Sequence, residues 1–159
     1  MSQSIVEKAI TRLAAAGLVN PGAVKGCNAE EIRQVEAKFR LQLPPIYKEF
    51  LLRMGKAAGK FLIGSDYLFP APMRLRDDAE DFLQDSSSGF RLDENDFVFM
   101  GHQGYEFLFF RPADSPDPPI FLLVEGEQPK PVFPHFSEWL LSCVSDEIEA
   151  FKSLPARSR

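Results

Sequence analysis

One change of rhythm constrains this chain more than any other feature. Apolar residues recur at helical spacing through about residue 84, alternate in short runs from Phe97 to Phe133, and return to helical spacing after Ser137. Spacings of three to four mark amphipathic helices, and a spacing of two marks strands. Helices, then a strand-rich meander, then a helix predict an α+β fold with a largely antiparallel sheet covered by flanking helices. The βαβ alternation of a dinucleotide-binding sheet is missing, which argues against a doubly wound architecture.

The punctuation supports this order. Ser4 followed by Glu7 forms a capping box for a first helix over residues 5–16, with Ile5, Ala9, Leu13 and Ala16 on one stripe and Gly17 as its stop. Asn28 with Glu31 starts a second helix, whose face carries Ile32, Val35 and Phe39. Pro44 and Pro45 end that helix and open a third, because proline is tolerated only in a first turn. Ile46, Tyr47, Phe50, Leu51 and Met54 form its apolar face, and Gly55 terminates it. A mobile basic loop is expected over residues 55–60 and a short strand over 61–63. A fourth helix is expected over 74–84, with Leu75, Ala79, Phe82 and Leu83 inward. Strands are expected over 97–100, 105–111, 120–125 and 131–133. The first two are joined by the Gly101-His102-Gln103-Gly104 hairpin, and the last is held to an edge by Pro129 and Pro131. A final helix over 137–152 buries Trp139, Leu140, Cys143, Val144, Ile148 and Phe151.

With 159 residues and 15 phenylalanines, the chain can bury a core without disulfides or a structural metal. Cys27 and Cys143 fit no CxxC pattern and read as small thiols of a reducing interior. No basic run followed by an apolar segment opens the chain, and no apolar stretch is long enough to span a bilayer. The expectation is a cytoplasmic protein with no membrane partner.

The search for chemistry finds no catalytic constellation. His102 and His135 are the two histidines, and no GxSxG elbow accompanies them. Gly55-Lys56-Ala57-Ala58-Gly59-Lys60 has three residues between its glycines where a phosphate loop needs four, and Phe61 stands where Ser or Thr would hold magnesium. Asp93, Glu94 and Asp96 lack the alternate spacing and central glycine of a calcium loop, and read as a solvated acidic turn. The expectation is a non-catalytic domain with no cofactor and no metal.

Charge is divided along the chain. Residues 1–60 hold ten Lys/Arg against five Asp/Glu, and residues 61–159 hold eight against eighteen. An acidic second part repels nucleic acid, whose binding requires cations. It attracts a basic partner and speeds encounter with it. Solubility alone is the competing reading of the same excess.

Several segments together resemble a known family. Glu31-Ile32-Arg33-Gln34-Val35-Glu36-Ala37-Lys38-Phe39, followed by Leu43-Pro44-Pro45-Ile46-Tyr47-Lys48-Glu49-Phe50-Leu51-Leu52, resembles the opening signature of the SMI1/KNR4 (SUKH) superfamily. That signature is an acidic amphipathic helix, an LP dipeptide and a Tyr-bearing helix ending in Phe-Leu. Phe99 to Phe107 resembles the family's glycine-bearing hairpin, and Phe136-Ser137-Glu138-Trp139-Leu140-Leu141 its closing helix. The family's Asn-Gly-Gly-like turn is replaced here by Gly55-Lys56-Ala57-Ala58-Gly59. The resemblance divides the chain into an N-terminal helix and loop (1–27), an SMI1/KNR4-like domain (28–152) and a flexible tail (153–159). It implies an α+β fold with a mixed sheet, and a protein-binding role without catalytic residues. In bacteria it implies an immunity protein that neutralises a polymorphic toxin of nuclease or deaminase class. Regulatory or scaffold binding, and small-ligand binding, are the alternatives. For a basic toxin domain, charge and predicted exposure single out Asp77, Asp78, Glu80, Asp81, Glu106, Glu125 and Glu127 as contacts.

Overall fold

The computed structural model describes residues 3–155. The expected tail therefore falls largely outside the described residues. Within them, helices α1 (Ile5–Ala15), α2 (Ala29–Phe39) and α3 (Pro45–Met54) come first. Strand β1 (Ser65–Asp66) and helix α4 (Leu75–Gln84) follow. Then come β2 (Phe97–His102), β3 (Glu106–Phe110), β4 (Ile120–Leu123) and β5 (Lys130–Phe133), and α5 (Phe136–Lys152) closes the fold.

The caps are those the sequence announces. The Ser4 hydroxyl accepts the Glu7 amide, and the Glu7 carboxylate accepts the Ser4 amide. Asn28 and Glu31 repeat this reciprocal pair at 2.8 and 2.9 Å. Pro45 opens α3 and Gly55 caps it. Gly26 is obligatory here, because any Cβ at that position would lie 1.6 Å from the Leu52 carbonyl oxygen.

The sheet runs β1-β2-β3-β4-β5 in spatial order, and every pairing is antiparallel. It has two covered faces. Phe97, Phe99, Phe110 and Ile120 face the core built with α1, α2, α3 and α5. Val98, Phe107, Phe109 and Leu123 face a second core under α4. Strand pleating alternates side chains between the two. A bulge between Val98 and Met100 adds one residue to β2. It lets Phe99 and Met100 both serve the larger core while Gly101 turns back toward α4.

Tyr47 is the centre of the larger core. Its ring is fully buried, with the rings of Phe50, Phe97, Phe99, Phe110 and Phe136 centred 5.2–6.1 Å away. Helix α1 belongs to the same core: Val6, Ala9 and Leu13 are completely buried, and the helix packs on α5 and α3.

Three local expectations change. Residues 61–63 form turns and not a strand, because the Tyr67 hydroxyl captures the Phe61 carbonyl at 2.6 Å; the pairing strand lies at Ser65–Asp66. The 55–60 loop is pinned: Lys25 and Ala57 form a β-bridge, Ala58 is buried, and the Lys60 amide donates to the Leu18 carbonyl. Asp96 is not solvated but buried, accepting from Arg111 Nε at 2.7 Å and from the Asp93 amide at 2.8 Å.

The Tyr47 hydroxyl is buried without a hydrogen-bond partner. Burial, and then the Cys27 charge, push its phenol well above the ordinary 10.0. Below pH 10.0 the hydroxyl is protonated in both folded and unfolded chains. As pH rises further, the unfolded chain ionises first and stability is lost. Tyr47→Phe removes an unsatisfied donor without opening a cavity. Urea unfolding at pH 7 should therefore show it equal to the wild type or more stable by about 1 kcal/mol. Its alkaline unfolding, followed by near-UV circular dichroism, should move to higher pH.

Candidate functional site

Helix α4 buries Leu75 and Ala79 against the sheet and packs Phe82 and Leu83 at their flanks. The helical period leaves Asp77, Asp78, Glu80 and Asp81 exposed. Asp77 and Asp78 lie in the first turn, where they favour the helix dipole. Asp78 and Asp81 share the helix edge nearest the hairpin, and β1 adds Asp66 there by pairing with Gly101. Together they wall a notch of about 260 Å³ whose floor is Leu75, Gly101, Gly104 and Phe107.

Cations inside the chain neutralise part of this charge. Arg74 Nη1 binds Asp78 at 2.6 Å, and its Nη2 lies 3.4 Å from Asp66. The Asp78 hydrogen bond and the Asp66 charge raise the Arg74 pKa further. Arg76 Nε binds Glu80 at 2.8 Å, while its Nη1 donates to the carbonyls of Asp93 and Asp96. Arg76 thus straps α4 to the turn that precedes β2. Among the described residues, Asp77 and Asp81 have no ion pair.

The remaining predicted contacts divide. Glu125 and Glu127 are exposed in the β4–β5 turn, at the same end of the antiparallel sheet as the β2–β3 hairpin. The Gly126 amide donates to Ser86 Oγ at 3.1 Å, and Gln128 Nε2 donates to the Ser88 carbonyl at 2.7 Å. These bonds join that turn to the segment following α4. Glu127 pairs with Lys130, and Glu125 has no ion pair among the described residues. Glu106 is not brought to the α4 carboxylates. Its neighbour Phe107 points under α4, so the pleat turns Glu106 to the opposite face, half-buried beside its register partner His102.

Two residues of this end were absent from the sequence-based set. Asp66 arrives only through the β1–β2 pairing. Tyr105 stands 48% exposed at the hairpin tip, its ring 5.8 Å from that of His102. Gln103 (φ 53) and Gly104 (φ 79) are the left-handed residues of the three-residue loop 103–105 that projects it. That turn was readable in the sequence, and an aromatic beside it was a usable signal.

Both histidines have hydrogen-bond partners. His102 Nδ1 lies 3.0 Å from Ser65 Oγ. His135 Nδ1 donates to the Asp117 carbonyl at 2.8 Å. The Asp117 carboxylate accepts the Ser137 amide and hydroxyl at 2.9 and 2.5 Å, which caps α5. Among the described residues, no cluster of three or more His, Cys, Asp or Glu is placed to hold a metal ion. No helix among them is long and apolar enough to cross a membrane.

The sequence model of the SMI1 / KNR4 family (SUKH-1) matches residues 26–142, well over half of the chain. The chain belongs to the SMI1/KNR4 family. The match begins at the obligatory Gly26, takes in all five strands and ends inside α5. Helix α1 and the second half of α5 lie beyond it and pack on each other. No curated protein matches the chain. The SMI1/KNR4 family includes immunity proteins, and membership supports a protein-binding domain.

Burial, and to a lesser extent neighbouring carboxylates, push the Cys27 thiol up to about 11 and the Cys143 thiol up to about 12. Both stay protonated near neutrality, and the thiolate is the nucleophilic form. Iodoacetamide at pH 7.5 should leave both thiols unlabelled in the native protein and label both in urea, as read by intact mass.

Proposed function

We propose that this SMI1/KNR4 domain is an immunity protein. It acts in the cytoplasm by binding a basic toxin domain of the nuclease or deaminase class and masking its substrate groove. The reading rests on the acidic end of the sheet. Asp77, Asp81 and Glu125 are exposed and have no ion pair among the described residues, while Asp78, Glu80 and Glu127 are exposed carboxylates held in ion pairs. Exposed pairs of this kind are worth at most about 1 kcal/mol, so their carboxylates can turn to an incoming lysine or arginine at small cost. Glu106, at the base of the hairpin, contributes from the opposite face, and Tyr105 supplies an amphipathic aromatic beside the charges. Tyrosine is a frequent anchor of protein interfaces.

A toxin that acts on nucleic acid presents a cationic groove, and an acidic inhibitor can both find and fill it. Such association is fast at low salt, up to about 10⁸–10⁹ M⁻¹s⁻¹, and slows as salt screens the fields. Inhibition by occupancy needs no bond-making group on this chain.

The test begins with the gene immediately upstream: the reading expects it to encode a large secreted protein with a variable C-terminal domain, and that domain is the toxin to use. Co-expression with the wild-type chain should restore growth of cells poisoned by that domain. Association of the purified pair should slow at least tenfold between about 50 and about 500 mM salt. Asp77→Lys/Asp81→Lys should weaken binding about 10–100-fold, mostly through the association rate. Both positions are exposed, so thermal unfolding should be little changed. Unrestored growth, or a complex indifferent to salt and to the double reversal, would defeat the reading.

A further inference from the structure

A second surface lies on the other side of the sheet, where α1 and α5 pack. Leu18, Ile63, Ala150, Phe151 and Leu154 line an open groove of about 380 Å³, flanked by Lys60 and Glu147. Ile63 is 73% exposed, the highest value among the exposed large apolar side chains.

The loop that carries Ile63 is fixed in place. Leu62 adopts a left-handed conformation (φ 53), unfavourable for a branched side chain, and its amide donates to Glu147 Oε1 at 2.7 Å. The Lys60 amide donates to the Leu18 carbonyl at 2.9 Å, and the Tyr67 hydroxyl to the Phe61 carbonyl at 2.6 Å. A free loop would fold an isoleucine inward. This one is tied down at three points in a strained turn that holds the isoleucine out.

We infer that this groove is the contact surface between two copies of this chain. Charge selects the occupant. The chain carries a net charge of −5, so like copies repel over most of the acidic half. This groove is flanked by one cation and one anion. A twofold interface requires a patch complementary to itself. Rotation about the groove sets Lys60 of one copy against Glu147 of the other, twice, with Ile63 between. The Lys60 ammonium is already poised over the groove, 5.3 Å from the centre of the Phe151 ring. A cationic partner is served instead by the acidic end, and the two surfaces do not overlap. The patch is small beside the roughly 800 Å² per partner of a stable complex, so the dimer is weak and depends on concentration.

Sedimentation equilibrium on the full chain tests this. The wild-type mass should rise from 17.9 kDa toward twice that value as protein increases from about 10 µM to about 1 mM. Ile63→Asp should hold 17.9 kDa throughout. Lys60→Glu should weaken the dimer at least tenfold. Both positions are exposed, so unchanged thermal unfolding should show that the fold survives. A wild type that stays monomeric overturns the inference, as does an Ile63→Asp variant that dimerises normally. A Lys60→Glu curve matching the wild type's overturns the Lys60–Glu147 register. A monomeric wild type whose Ile63→Asp variant loses a separate basic protein domain gives the groove to a different occupant and also overturns it.

Discussion

The burial of the Tyr47 ring joins the parts of this fold. Helix α3 contributes Tyr47 and Phe50, the sheet Phe97, Phe99 and Phe110, and α5 Phe136, and these rings meet edge to face, with Phe99 and Phe110 stacked. Aromatic pairs of this kind add about 0.5–1.5 kcal/mol each beyond the area they bury. The layer fixes which face of the sheet receives the helices. Once Phe97 and Phe99 point toward α3, the pleat commits Val98, Phe107 and Phe109 to the other side. That second apolar face needs its own cover, and α4 supplies it. The unsatisfied hydroxyl of Tyr47 shows that packing, not hydrogen bonding, dominates at this centre.

The seat of α4 then distributes the charge. Two arginines are spent inside the chain: Arg76 on the backbone of the 93–96 turn and Arg111 on buried Asp96. Arg111 also lies over the Phe121 ring at 5.6 Å. Arg111 is bound to buried Asp96, and Arg76 pairs with Glu80 among the surface carboxylates. Asp77, Asp81 and Glu125 keep no ion pair among the described residues. In the N-terminal part, Arg33, Lys48, Arg53 and Lys56 are paired with Glu30, Glu36, Glu7 and Glu31. The most exposed large apolar side chain, Ile63, sits apart from the α4 carboxylates.

The elements were largely readable from sequence, the site only partly. Ser4–Glu7, Asn28–Glu31 and Pro44–Pro45 announced three helices, and the caps form as written. The β2–β3 hairpin was equally plain from Gly104 and the flanking phenylalanines. Exposure of the α4 carboxylates followed from helical period. The fate of Glu106 did not, because it depends on which face of the sheet α4 covers. Asp66 could not be placed either: a two-residue strand has no periodicity, and its pairing with Gly101 spans 35 positions of chain. Asp96 looked like part of a solvated turn because its partner Arg111 lies fifteen residues away.

By itself, then, the sequence determined the helices and their caps, the antiparallel meander, the α+β class, the SMI1/KNR4 likeness and the acidic bias after residue 60. Those features depend on residues within one or two turns or on simple counting. Tertiary structure decided that both faces of the sheet are covered, that Arg74, Arg76 and Arg111 cancel particular carboxylates, and that the 55–64 loop is pinned with Ile63 outward. Each of those outcomes turns on a long-range pairing or a one-residue bulge. A bulge at Val98/Met100 shifts the facing of every later β2 side chain, and no local pattern of hydrophobicity reports that shift.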